Sequence, residues 1–236
     1  MDEYNMDTEQ LKKQRKEEMD MVVKDWAGYF TELKRFRSGK KLLKRMGPFL
    51  IGIEFWTYSM FSDNYRPIFT WYNLMDNLPP ALPPIRFHYI QETRGKAAGF
   101  LHVRYRLHSK EYREACRIVE KQSMISLWGK VSLKDIVTRY LANTEEVLKL
   151  QNSFWRCYGL IQLSYLLDDK HLQEKYRKKG LEFINRMGKD AINYFTNGDD
   201  TWYTQLESMN RDKLLEIIEA NVKKYKVTNW PDYCIW

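Results

Sequence analysis

The stretch GPFLIGIEFWTYSMF, residues 47–61, carries a single charge, Glu54, and its reading decides the fold. Its apolar run from Phe49 to Phe61 falls short of the ~20 residues that a membrane-spanning helix needs. It also contains Gly52 and ends at the polar Ser62-Asp63-Asn64, so no transmembrane segment is predicted. The run has no clean period. Such a run is either a buried helix or a short buried strand, and residues 49–61 leave both open.

Working outward, Met19, Val22, Val23, Trp26, Tyr29, Phe30, Leu33 and Phe36 recur at three- and four-residue steps, the stripe of a long N-terminal helix. Asp7 with Gln10 offers a capping-box start for it. Leu42, Leu43 and Met46 read as helical, and Gly47-Pro48 should end that segment. LPPALPP, residues 78–84, reads as a rigid extended connector. Beyond it, Leu101, Val103, Tyr105 and Leu107 alternate as a strand would. With Lys96-Ala97-Ala98 ahead of them and no hairpin turn recognised, a helix over 90–107 is preferred. Ser109, Ser132, Asn143 and Asn210 mark further helix starts, and Asp168-Asp169 a corner.

These readings predict an all-α chain, an irregular array of antiparallel helical hairpins with a long N-terminal helix. They divide it into an N-terminal helical and aromatic-rich segment (1–77), a Pro-rich connector (78–84) and a helical-hairpin region (85–236), packed together as one domain. SKEYREACRIVEK, residues 109–121, resembles the second helix of a tetratricopeptide unit at Tyr112 and Ala115. Its companion helix lacks the pattern, and nothing recurs at the repeat spacing.

Eight Trp, sixteen Tyr and eleven Phe in 236 residues are enough for a packed core. Cys116, Cys157 and Cys234 form neither a disulfide framework nor a CxxC pair, and read as small buried hydrophobes in a reducing compartment. The N-terminal MDEYNMDTEQ is acidic where a secretory leader is basic, so a cytoplasmic location is expected.

The net charge of +8 is unevenly spread. Residues 1–32 hold five Lys/Arg against nine Asp/Glu, whereas residues 33–117 hold sixteen against six. The densest block, KRFRSGKKLLKR, supplies Lys34, Arg35, Arg37, Lys40, Lys41, Lys44 and Arg45. A second block supplies Arg104 and Arg106. These nine residues are the candidate binding surface, with the first block expected to fan out as a positive rim beside the aromatic run.

Chemistry is harder to find. His88, His102, His108 and His171 give no HxxxH or HExxH spacing, and no GxSxG or P-loop pattern occurs, so no catalytic residue, metal site or cofactor is assigned. One constellation does bear comparison. Asp168-Asp169, together with Asp199 and Glu207, resembles the paired acidic motifs of class I isoprenoid synthases. That resemblance implies an all-α, Mg²⁺-dependent enzyme. Lys170-His171-Leu172 follows where a third carboxylate belongs, and residue 203 is Tyr where Ser or Thr belongs.

The leading expectation is a non-enzymatic protein-binding module, an adaptor or a stoichiometric inhibitor of the immunity-protein kind, meeting an acidic partner through a basic, aromatic-rich surface. Nucleic-acid binding is the alternative, because cations interleaved with aromatics suit phosphate contacts and base stacking. An isoprenoid-synthase-like enzyme comes third.

Overall fold

Gly47-Pro48 does not stop a helix; it turns a hairpin. The computed structural model describes residues 8–59, 62–75, 84–94, 97–150, 154–186 and 208–236. In it, strands β2 (Lys41–Met46) and β3 (Phe49–Trp56) pair antiparallel from Lys41↔Glu54 to Met46↔Phe49. Gly47 takes φ +57°, where a side chain is strained, and a Cβ there would lie 3.0 Å from Cys234 Sγ. At the middle of the hairpin, a Cβ on Gly52 would fall 2.0 Å from the Leu42 carbonyl oxygen, so only glycine fits.

The fold is therefore mixed α/β, and the all-α expectation is overturned. The physical reason lies in burial. Phe49 to Ile53 are buried at every position, so this strand has apolar residues on both faces and no alternation to read. Alternation returns only at its end, where Phe55 is 1% exposed and Trp56 is 38% exposed. Trp56 thus faces away from the core that its neighbour enters.

The chain divides into two compact units. Unit 1 comprises Met1–Tyr72, Pro84–Val131 and Trp230–Trp236; unit 2 comprises Asn73–Pro83 and Ser132–Asn229.

In unit 1 the sheet has the order β1 (Lys34–Arg35), β2, β3, β4 (Asn64–Asn73), β5 (Pro84–Tyr89). A further short strand, Val103–Arg104, pairs with Asn64 and Tyr65 of β4, while β5 pairs with β4 from Ile68 onward. Pro67 falls between these two registers, as expected of a residue with no N–H to give. The predicted helix over 90–107 is replaced by the hairpin β6 (Gln91–Arg94) and β7 (Ala97–Phe100), then by the strand Val103–Arg104 (β8) and a 3₁₀ turn, Tyr105–Leu107. The alternation at Leu101, Val103 and Tyr105 was the true signal: all three are buried, with His102 and Arg104 half-buried between them.

Helix α1 (Thr8–Tyr29) lays Met19, Val22, Val23 and Trp26 on this sheet, with Phe30 and Leu33 buried just beyond its end. The Trp26 ring stands edge-on to Phe55 at 5.2 Å and to Tyr65 at 6.5 Å. Helix α2 (His108–Gln122) buries His108, Ala115, Cys116 and Val119. Full burial of each large side chain contributes ~1.5–3 kcal/mol, so these stripes supply much of the unit's stability.

The C-terminal residues return to the sheet. Strands β9 (Val131–Ser132) and β10 (Cys234–Ile235) pair, and Tyr233 N donates to the Arg45 carbonyl at 2.9 Å. Asp232 accepts from Gly47 N at 2.8 Å and Cys234 N at 2.9 Å, clasping the β2–β3 turn.

Unit 2 is helical: α3 (Leu133–Leu150), α4 (Phe154–Leu166), α5 (Lys170–Arg186) and α6 (Arg211–Lys224). Ser132 Oγ accepts from Asp135 N at 3.0 Å, Asp169 Oδ1 from Leu172 N at 3.0 Å and Asn210 Oδ1 from Lys213 N at 3.0 Å. Each caps a helix as its residue type predicts. The predicted break at Asn143-Thr144 is absent, since α3 runs through it. Asn73–Met75 is stitched to this unit by buried amides: Asn73 Nδ2 donates to Gln162 Oε1 (2.9 Å), Gln162 Nε2 to the Met75 carbonyl (2.9 Å) and Asn221 Nδ2 to the Leu74 carbonyl (2.8 Å). Among the described residues, no helix is long and apolar enough to cross a membrane.

Candidate functional site

The seven cations of residues 34–45 separate into three environments. Lys34, Arg35, Arg37 and Lys40 are exposed around the short β1–β2 connection, with Arg37 at φ +54°. Lys41 and Arg45 are half-buried in ion pairs, with Glu54 at 3.6 Å and with Asp232 at 3.7 Å. Lys41 also sits 4.7 Å over the Tyr72 ring, whose hydroxyl donates to Glu54 at 2.6 Å.

Lys44 departs from the expected rim altogether. It is buried; its Nζ donates to Glu32 Oε2 at 2.9 Å and to the Gly129 carbonyl at 3.1 Å, and lies 4.7 Å over the Tyr233 ring. Burial pulls its pKa down against the opposing pull of Glu32. Burial alone would raise the Glu32 carboxyl, but the Gly129 N–H and the Lys44 ammonium together hold it below its ordinary range. This is a structural ion pair.

The exposed cations meet others from a distant segment. A cleft of about 300 Å³ lies among α1, the β1–β2 connection and the residues between β3 and β4. Lys12, Arg15 and Lys16 come from α1, and Arg35 and Lys40 from the opposite wall. Met19 and five hydroxyl-bearing residues, Ser38, Thr57, Ser59, Ser62 and Tyr105, complete the lining, with Asp20 as its one carboxylate. Lys12 pairs with Glu9 at 2.7 Å, Arg15 with Glu18, and Arg35 with Asp20. Lys16 and Lys40 have no carboxylate partner among the described residues, and Lys40 donates to Thr57 Oγ1 at 3.2 Å.

The two basic blocks do not merge here. Tyr105 of the second reaches the cleft, while Arg104 pairs with Glu111 at 2.9 Å and Arg106 stands exposed, neither lining it. Lys12, Arg15 and Lys16 escaped the sequence reading because their segment was weighed by its net negative charge. Their signal was helical spacing: residues 12, 15, 16 and 19 share one face.

Two further polar clusters lie in unit 1. The first is a relay in the core. Trp26 Nε1 donates to the Tyr65 hydroxyl at 3.0 Å, that hydroxyl lies 2.8 Å from His108 Nδ1, and His108 Nε2 lies 3.1 Å from Asp25 Oδ2. With Trp26 donating to it, the Tyr65 hydroxyl gives its own proton to Nδ1, and Nε2–H faces the carboxylate. Burial drives the Tyr65 hydroxyl far above the usual phenol range and lowers the His108 pKa against the pull of Asp25. Tyr65 is fully buried, so this relay joins α1, β4 and α2 rather than meeting a substrate.

The second cluster centres on Arg66. Its Nε donates to His102 Nε2 at 3.1 Å and its Nη2 to the Tyr58 hydroxyl, with the Tyr58 and Phe100 rings 4.4 and 4.6 Å away.

The acidic corner serves the backbone. Asp168 takes φ +53° and pairs with Lys170 at 3.1 Å, and Asp169 caps α5. Asp199 and Glu207 lie outside the described residues. The all-α fold implied by the isoprenoid-synthase resemblance is not this fold. All three cysteines are free and buried, and burial pushes the Cys157 and Cys234 thiols up to about 12. Among the described residues, no three His, Cys, Asp or Glu side chains gather as metal ligands.

No protein family, no curated protein and no solved structure matches the chain.

Proposed function

We propose that this chain is a non-enzymatic binding module that captures an acidic protein partner at the cationic cleft of unit 1, in a reducing compartment such as the cytoplasm. The observation that carries the reading is convergence. Lys12, Arg15 and Lys16 lie far in sequence from Arg35 and Lys40, yet the five line one cleft with a single carboxylate. Such a field steers an acidic face and acts mainly on association rate. Three unpaired thiols support the compartment.

The test is capture from nuclease-treated extract of the native host by the full-length protein, alongside a Lys16→Glu/Lys40→Glu variant. Both lysines are exposed, so the variant should keep its melting temperature. Its association with the captured protein should slow several-fold in dilute salt and converge on wild type once the Debye length shrinks to ~8 Å. An unchanged rate in dilute salt overturns the reading. A ligand lost on nuclease treatment transfers it to nucleic acid.

A further inference from the structure

Three features of the cleft narrow the chemistry of what it can grip. Arg35 is fixed in place, with Nε donating to the Gly39 carbonyl and Nη2 to the Ser38 carbonyl, both at 3.1 Å, and with Asp20 as its ion-pair partner. Those contacts offset the charge of Asp20 and leave Nη1 without a hydrogen-bond partner among the described residues. The same cleft is lined by Lys16 and Lys40, which no carboxylate among the described residues claims. The rest of the lining is rich in hydroxyl donors, Ser38 and Thr57 among them.

We propose that the cleft is a site for a phosphate monoester, an inference that rests on reading the cleft as the recognition site of unit 1. A carboxylate brings one charge and two acceptor oxygens. A phosphate monoester brings a charge of about −1.5 to −2 near neutral pH and three acceptor oxygens. Two ammonium groups with no carboxylate partner among the described residues, sharing one cleft with a fixed guanidinium, match the second and are in excess for the first. Charge-assisted hydrogen bonds to such oxygens are about twice as strong as neutral ones, which makes Arg35 and the two lysines the main source of affinity. The ester can be borne by a modified side chain of the partner or by a small phosphorylated molecule; the cleft recognises the group common to both.

The experiment titrates phenyl phosphate and benzoate into the full-length protein in a phosphate-free buffer and follows backbone amide shifts. Phenyl phosphate should perturb residues 12–20, 35–40, 57–59 and 62 and bind at least about tenfold more tightly than benzoate. Lys16→Gln and Lys40→Gln should each weaken phenyl phosphate by about tenfold, while Lys134→Gln, exposed on unit 2 and absent from the cleft lining, should leave it unchanged. Equal binding of the two anions, or perturbation away from these residues, overturns the proposal.

A peptide bearing one phosphoserine and its glutamate counterpart complete the test. Tighter binding of the phosphopeptide than of phenyl phosphate assigns the ester to a partner protein, and equal binding assigns it to a small molecule; the site stands in both cases. If the glutamate peptide binds as well as the phosphopeptide, the phosphate proposal falls while the acidic-partner reading survives. If phenyl phosphate binds but no acidic protein is captured, the reverse holds.

Discussion

Unit 1 and unit 2 bury different kinds of polar side chain. Among the described residues, unit 1 encloses Thr70 and three side chains capable of carrying charge, Lys44, Arg66 and His108, whereas unit 2 encloses Asn73, Gln162, Ser164, Gln173 and Asn221, all neutral. A neutral amide needs only its hydrogen bonds to be tolerated inside a protein. A buried cation needs a partner as well, and loses more when that partner is removed. The stability of unit 1 should therefore respond to charge and pH in ways that unit 2 does not share.

The largest expected effect tests that contrast within one block of sequence. Lys44→Ala leaves Glu32 with only the Gly129 N–H, removes the cation from over Tyr233 and opens a cavity beneath the sheet. Breaking a buried pair costs about 3–5 kcal/mol, and because Glu32 keeps some solvent contact the loss should fall near 3. Lys40→Ala, four residues earlier and exposed, should cost less than about 0.5 kcal/mol. Urea midpoints measured side by side decide the matter. Similar midpoints would mean that Lys44 is as dispensable as a surface lysine.

The same pair marks where the sequence was legible. Composition cannot tell Lys40 from Lys44; only the bounds of the strand do, since Lys40 precedes β2 while Lys44 lies within it, on the face it shares with Leu42 and Met46. The stripe of α1 was legible because one face is apolar and the other wet, and burial of Met19, Val22, Val23 and Trp26 follows it; the helix stops at Tyr29, short of the Phe30, Leu33 and Phe36 that the stripe includes. The caps at Ser132, Asp169 and Asn210 were legible because single side chains serve the helix start. The sheet was not, because β3 is apolar on both faces, β2 sets Lys41, Lys44 and Arg45 among its apolar residues without alternation, and Gly47-Pro48 punctuates a helix end and a hairpin alike. Of the candidate site, Arg35 and Lys40 were found, and the α1 wall was missed because net charge hides which face of a helix the cations occupy.

A smaller effect should come from the neutral side of the contrast. Gln162→Ala removes the acceptor of Asn73 and the donor to the Met75 carbonyl in one step. Leaving buried polar groups unpaired costs about 1–3 kcal/mol. Because no titrating group is lost, the difference between variant and wild type should stay constant from pH 5 to pH 8 in denaturant titrations. A difference that changes across that range would tie unit 2 to charge after all.

The smallest effect is a pH dependence confined to unit 1. His108 is buried against Tyr65, Asp25 and the Tyr112 ring, stacked at 5.0 Å, and burial holds its pKa below the ordinary 6.5 despite the carboxylate. Below pH 6.5 the unfolded chain therefore binds a proton at residue 108 more readily than the folded one. The stability that the relay contributes is fully present above that pH and is lost as pH falls through the folded value. Protonation would also put a second proton on Nδ1, where the Tyr65 hydroxyl now donates, and its proton has no other acceptor in the relay. Amide exchange in α2 and along Asn64–Thr70 of β4 should accelerate as pH is lowered from 6.5 towards 5, after correction for intrinsic rates. Amides of α6 should not follow. His108→Asn should flatten the response of unit 1 over the same window. If α2 and α6 instead lose protection together, or if the Asn variant keeps the wild-type slope, the titrating group is elsewhere and the relay is a passive tie.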